Sequence, residues 1–252
     1  MAGKRSAKTR MIDEKTIKDV IEVCSLGIWK DTEVLSYCEK RGIDSTTIRE
    51  WRLGAFPEDP NQLYSLYLKI KSAAAQSVLR LADGYFESPF FKNRLTIPVN
   101  DCFGTCIAMM GRTTLPGDEY KQHDFPKYYN THYPKTRMLF GLDRAIPAAI
   151  RTREIYIVEG NLDVITAHQY GLKNVVATSS SSISSHQLSL AARYAEKIIL
   201  ALDADEAGQA GIARAMDKHA SAAKQLGIEL VPYKFRSGKD LDEALRGGGL
   251  VW

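Results

Sequence analysis

Long apolar runs are missing from this 252-residue sequence: no uninterrupted stretch approaches the roughly 20 residues that a membrane helix requires. That predicts a soluble chain. Cysteine is scarce. Cys24, Cys38, Cys102 and Cys106 give one C-x3-C pair but no second close pair to complete a structural zinc site, so reduced thiols and no zinc are expected. The five histidines, His123, His132, His168, His186 and His219, lack metal-ligand spacing and read as structural or exposed. Charge of one sign is also lacking: the formal excess is +4, and Lys4, Arg5, Lys8 and Arg10 account for all of it. No apolar stretch follows those residues, so a secretory leader is not expected and the chain reads as cytoplasmic. A basic arm of this kind gathers nucleic acid through counterion release, or is simply a solvated tail. No internal repeat is visible.

What is there is ordinary globular material, 44% apolar and 25% charged, enough for one large domain or two closely packed ones. The first part reads as helical. Apolar residues at 12, 17, 20, 21 and 23 predict a helix over Ile12 to Val23, and Asp31 caps a second that runs to Arg41 and ends at Gly42. A third follows Ser45, and the alanine-rich Asn61 to Leu81 has helical spacing. The character changes at Asn93. Arg94-Leu-Thr-Ile-Pro-Val predicts a strand, Asp101 to Gly104 a turn, and Thr105 to Met110 the returning strand. Residues 113 to 137 carry three prolines among charged and aromatic residues and read as an irregular, functional segment. From Glu154 strands and helices alternate: Ile155 to Val158, a helix from Asp163, Val175 to Ala177, a helix from Ser185, Ile198 to Leu202, a helix from Glu206, a strand near Glu229 to Tyr233, and a short helix from Asp240 to Leu245. Alternation of this kind predicts α/β organisation around a parallel sheet.

The acids with most to say lie just past two of those strands: Glu159-Gly160-x-x-Asp163 and Asp203-x-Asp205. In a parallel sheet the carboxyl ends share one edge, which is where ligands bind, so carboxylates distant in sequence can meet there. Clustered carboxylates repel unless cations compensate them, and an all-oxygen donor set suits Mg2+ or Mn2+. Two such ions hold an attacking hydroxyl and a leaving phosphate oxygen in line, which makes phosphoryl transfer the natural chemistry. The competing account is local: acids in the first turn of a helix are favoured by its dipole. The joint occurrence of both pairs, with Gly160 and Gly208 permitting close backbone approach, favours function. Asp240 and Asp242 supply a third pair or cap the last helix.

The runs Val158-Glu159-Gly160-Asn161-Leu162-Asp163 and Leu202-Asp203-Ala204-Asp205-Glu206-Ala207-Gly208 resemble the TOPRIM signature. The flanks Lys40-Arg41-Gly42-Ile43, Arg94-Leu-Thr-Ile-Pro-Val, Gly111-Arg112, Pro126-Lys127-Tyr128-Tyr129-Asn130 and Leu139-Phe140-Gly141-Leu142 resemble, in order, the blocks of DnaG-type primases, from about residue 31 to 246. The resemblance implies an α+β subdomain over 31–150 followed by a TOPRIM-type parallel-sheet α/β subdomain over 151–235. A basic arm and helical lead-in (1–30) precede them, and an acidic motif and tail (236–252) follow. It implies a DNA-directed RNA polymerase that makes short RNA primers on single-stranded DNA from ribonucleoside triphosphates with Mg2+ or Mn2+. Glu159, Asp203 and Asp205 are then the catalytic, metal-binding acids, with Asp163, Asp240 and Asp242 in support, and Glu159 the acid/base. Arg94, Arg112, Lys127, Tyr128, Asn130 and Lys135 become contacts to nucleotide or DNA, the arginines and lysines on phosphate and Tyr128 stacking on a base. A replicative helicase or a separate zinc-domain partner is implied as well.

Several positions depart from the family pattern. No zinc-binding domain precedes the helical entry, Met109-Met110 stand where glycine is common, Glu206 stands where arginine is common, and Ser179 to Ser182 replace a Gly-Thr turn and read as a positioning or flexible turn rather than a nucleophile. Two rival functions remain: a TOPRIM nuclease using the same metals, and a noncatalytic single-stranded-DNA-binding replication module.

Overall fold

The computed structural model describes residues 14–56, 80–82, 85–87, 93–115 and 126–248. The chain divides into two compact units, residues 1–99 with 106–133 and residues 100–105 with 134–252. The basic arm and most of the expected helix from Asn61 lie outside the described residues.

In the first unit α1 (Glu14–Gly27) buries Ile17, Val20, Ile21 and Cys24, the face set by its helical spacing. Asp31 accepts a hydrogen bond from the Val34 N–H and so starts α2 (Thr32–Lys40), and Asp44 does the same through Thr47 for α3 (Ser45–Glu50). The four-stranded sheet has the order β1-β4-β5-β6, with β1 (Gly54–Ala55), β4 (Arg94–Asn100), β5 (Cys106–Thr113) and β6 (Tyr128–Asn130). Strand β6 falls inside the segment expected to be irregular. It pairs antiparallel with β5, which places Arg112 opposite Tyr128 and Met110 opposite Asn130. Met109 and Met110 are core residues. One expectation fails at its end: Arg80–Ala82 is not helical but a strand, β2, paired with β3 (Tyr85–Glu87). The intervening Asp83-Gly84 is a two-residue hairpin signal that outweighs alanine-rich spacing.

The second unit carries the parallel sheet, in the order β10-β9-β7-β8, from β7 (Glu154–Val158), β8 (Val175–Ala177), β9 (Lys197–Leu200) and β10 (Glu229–Pro232). Its helices are α4 (Leu142–Thr152), α5 (Asn161–Gln169), α6 (Ser185–Ala191), α7 (Glu206–Leu226) and α8 (Leu241–Arg246). Ile155, Ile157, Val176, Ile198 and Leu200 of the strands pack with Leu142, Leu188 and Ile212 of the helices in one apolar core. Ser184 and Gln187 form a capping box at the start of α6. Among the described residues no helix is long and apolar enough to cross a membrane.

Two histidines are structural, as expected. His219 binds the Ile183 carbonyl, and His168, 3% exposed, donates from Nε2 to the Val175 carbonyl at 3.1 Å. Burial pushes the His168 pKa down to about 4. The native imidazole therefore stays neutral while the unfolded chain takes up a proton near pH 6.5. Stability present above pH 6.5 is lost as pH falls towards 4, by about 3 kcal/mol from this residue. Urea titrations at pH 7 and pH 4.5 should show that loss, and His168→Gln should flatten the dependence in this window; an unchanged slope would refute it.

Candidate active site

Every strand of the parallel sheet ends on the same edge, and each carries its loop of interest there. Glu159 follows β7 directly, and Gly160 is the N-cap of α5. Asp163, in the first turn of α5, is 8% exposed, and its carboxylate folds back over Gly160: a β-carbon there would stand 2.5 Å from Asp163 Oδ2. Only glycine fits. Asp203 follows β9 in an extended turn, and Asp205 caps α7 by accepting from the Gly208 N–H at 2.7 Å. A β-carbon at Gly208 would meet the Asp203 carbonyl oxygen at 2.1 Å, so glycine is required to close the turn that carries both acids. Glu206 is exposed at the start of α7.

The three acids act on one another. Burial pushes the Glu159 carboxyl up to about 7, the neighbouring Asp203 and Asp205 charges push the same way, and the Asp203 backbone N–H donates to it. An acid whose pKa is raised towards neutrality by burial and by like charges is suited to exchange a proton or to pair with a cation. The donor set is all oxygen, hard and anionic, which fits Mg2+ or Mn2+. Among the described residues no three acidic, histidine or cysteine side chains close into a metal-binding cage; the acids line an edge rather than enclose a point.

The third acidic pair divides. The Ala204 N–H donates to the Lys239 carbonyl at 2.7 Å, which ties the Asp203–Asp205 turn to the turn before α8, where Asp240 caps the helix through the Glu243 N–H. Asp242 is 1% exposed and both its oxygens are used: Oδ1 accepts from Thr166 at 2.6 Å and Oδ2 from Arg246 at 2.7 and 3.1 Å. It fastens α8 to α5. Thr166 and Arg246 lie outside the sequence reading; the i,i+4 spacing of Asp242 and Arg246 signals the second, and nothing local signals the first. The serine run after β8 is a positioning turn: Ser179, at φ 57°, donates to Asn161 Oδ1 at 2.7 Å and holds the loop against the start of α5.

Of the residues expected to contact nucleotide or DNA, five lie in the first unit and Lys135 in the second. Arg94 is not presented to solvent. It is 1% exposed, and its guanidinium donates to the carbonyls of Gly111, Pro126 and Lys127 at 3.1, 2.8 and 3.4 Å. Burial and the Arg112 charge lower its pKa to about 10. Arg112, 6% exposed, donates to the Thr113 carbonyl, and its guanidinium carbon lies 5.3 Å from the Tyr128 ring centroid. Lys127 is exposed, Tyr128 half-buried, and Asn130 Oδ1 is buried without a hydrogen-bond partner. Lys135 is half-buried, with its pKa lowered by that burial.

A family model for the N-terminal domain of the DNA primase catalytic core matches residues 24–146, and a Toprim-like model matches residues 156–245. A DNA primase of Clostridium acetobutylicum is 33% identical over 230 residues, which cover 87% of this chain and 36% of the relative. The chain thus spans about a third of that protein's length. The zinc-binding and RNA polymerase domains of the Aquifex aeolicus primase superpose with a TM-score of 0.78 at 25% identity, over 94% of this chain and 59% of that one. A DnaG primase catalytic domain solved bound to single-stranded DNA gives 0.73 at 23%, over 94% and 77%, a likeness of fold. Two adjoining domain matches in primase order, with the TOPRIM acids on the sheet edge, place the chain in the DnaG-type DNA primase family as a catalytic core with a TOPRIM domain.

Proposed function

We propose that this chain is a DNA-directed RNA polymerase that makes short RNA primers on single-stranded DNA from ribonucleoside triphosphates during DNA replication. The observation that carries the reading is Glu159 held near neutrality beside Asp203 and Asp205 at the carboxyl edge of the parallel sheet. The solved DnaG domain bound to single-stranded DNA supports the template class. In this reading Glu159, Asp203 and Asp205 bind Mg2+ or Mn2+, with Asp163 and Asp240 in the surrounding field and Asp242 fixing α8. Divalent ions held there would supply neutralisation of the charge that develops between the joined nucleotides. Glu159 takes the proton of the attacking 3′-hydroxyl, and the Asp203 and Asp205 charges favour that uptake by raising its pKa. Arg112, Lys127 and Lys135 contact phosphate, Tyr128 stacks on a base, Asn130 offers a polar contact, and Arg94 supports the main chain beneath them.

A primer maker acts on replicating DNA, so the reading carries a cytoplasmic location, and a replicative helicase or a separate zinc-domain protein as partner. The test is direct. The purified chain is incubated with single-stranded DNA and labelled ribonucleotides in Mg2+ or Mn2+, with template omitted in a control. Short oligoribonucleotides that require template are expected. Shortened DNA would instead establish a nuclease, and binding with neither product would establish a noncatalytic module.

A further inference from the structure

Arg112 is a buried cation with little to hold it. It has one hydrogen bond, to the Thr113 carbonyl, and its Nε is buried with no hydrogen-bond partner. No carboxylate pairs with it among the described residues. Removing a guanidinium from water under these conditions is costly unless something else faces its charge. Two aromatic rings do. The guanidinium carbon lies 5.3 Å from the centroid of Tyr128, its cross-strand neighbour, and 5.8 Å from that of Tyr37 on α2. Both distances fall within reach of a cation–π contact.

Tyr37 owes its place to the helix. Val34 and Cys38 point α2 into the core, and Tyr37 sits beside that stripe. The guanidinium carbon of Arg41, one turn on, lies 5.7 Å from the centroid of the same ring. Arg41, Tyr37, Arg112 and Tyr128 thus alternate cation and ring. The Tyr37 hydroxyl is buried without a hydrogen-bond partner, so the ring rather than the oxygen accounts for the residue.

We propose that Tyr37 is a positioning residue: with Tyr128 it clamps the plane of the Arg112 guanidinium so that its Nη2 group is held in one orientation for an oxygen of a nucleotide or template phosphate. The proposal rests on the reading of Arg112 as a phosphate contact. A purely packing role would be served as well by an aliphatic side chain. A phosphate role needs the charge oriented, which two ring faces on one guanidinium plane provide.

The test uses the full chain with two probes, ATP and a single-stranded oligothymidylate, and follows the Arg112 Nε–H resonance, which two flanking rings displace. Tyr37→Leu should move that resonance and weaken binding of at least one probe about tenfold. Tyr37→Phe, which keeps the ring, should remain within about twofold. The probe that responds identifies the source of the phosphate. In an Arg112→Gln background Tyr37→Leu should cost nothing further. Tyr37→Met replaces the leucine variant if that does not fold. The proposal is overturned if Phe loses as much as Leu, if Leu binds both probes as wild type does, or if the Leu loss persists without Arg112. Arg112→Gln binding both probes normally would remove the phosphate reading itself, and the clamp with it.

Discussion

Asp203→Asn is expected to lower template-dependent ribonucleotide incorporation by about a thousandfold or more while leaving the fold intact. The side chain sits in an extended turn whose backbone is fixed elsewhere, by the Gly208 approach and by the Ala204 to Lys239 hydrogen bond, so an isosteric amide disturbs neither. The electrostatics change sharply. One of the two charges that push the Glu159 carboxyl up disappears, and Glu159 should ionise at lower pH. A divalent cation loses an anionic oxygen at the same moment, so the field that orients the reacting phosphate weakens on both counts. Thermal unfolding without metal should be unchanged or slightly raised in the variant, because a repulsion has been removed. The gain in midpoint on adding Mn2+ should shrink. Incorporation within tenfold of wild type, with an undiminished Mn2+ response, would remove Asp203 from the catalytic group.

The sequence made the sheet edge legible because a parallel sheet leaves little choice. Buried runs such as Ile155 to Val158 and Ile198 to Leu202 are followed at once by acids, and βαβ connections put all such ends on one side. What an individual acid does once there was not legible. Asp203 and Asp242 look alike in sequence, yet one stands in the field of Glu159 and the other spends both oxygens on Thr166 and Arg246. That difference arises from a contact 76 positions apart in the chain, which no local pattern encodes. The helix Leu142–Thr152 also escaped notice, because Pro147 lies within it and its buried face rests largely on small alanines, Ala145, Ala148 and Ala149. Strand β6 was hidden in a proline-bearing segment for a related reason: it is three residues long and exists through pairing with β5 rather than through its own propensity. Arg94 was recognisable as a family position, but its burial followed only from the tertiary structure.

Arg94→Met should destabilise the first unit by roughly 1–2 kcal/mol, a value that follows from two opposing effects. The guanidinium satisfies the carbonyls of Gly111 and Pro126, and shares the Lys127 carbonyl with the Thr113 N–H. Gly111 keeps its ladder pairing with Tyr129, so it is the Pro126 carbonyl that is left bare, at about 1–3 kcal/mol. Against this, methionine relieves the burial of a cation and its repulsion with Arg112, which returns part of the loss. The bare carbonyl wins because methionine offers no donor. Arg94→Lys should fall between, since one ammonium cannot span acceptors on both β5 and the Pro126–Lys127 segment. Trp51, 6% exposed in the same unit, provides the fluorescence signal for urea unfolding. The salt dependence of single-stranded DNA binding then separates support from contact. Under conditions where Arg94→Lys is folded, its slope against salt should equal that of wild type, whereas Lys127→Gln, which removes an exposed cation, should lower the slope by about one. Should Arg94→Lys lower the slope while its unfolding midpoint stays at the wild-type value, Arg94 would touch phosphate directly and its burial would have to open on binding.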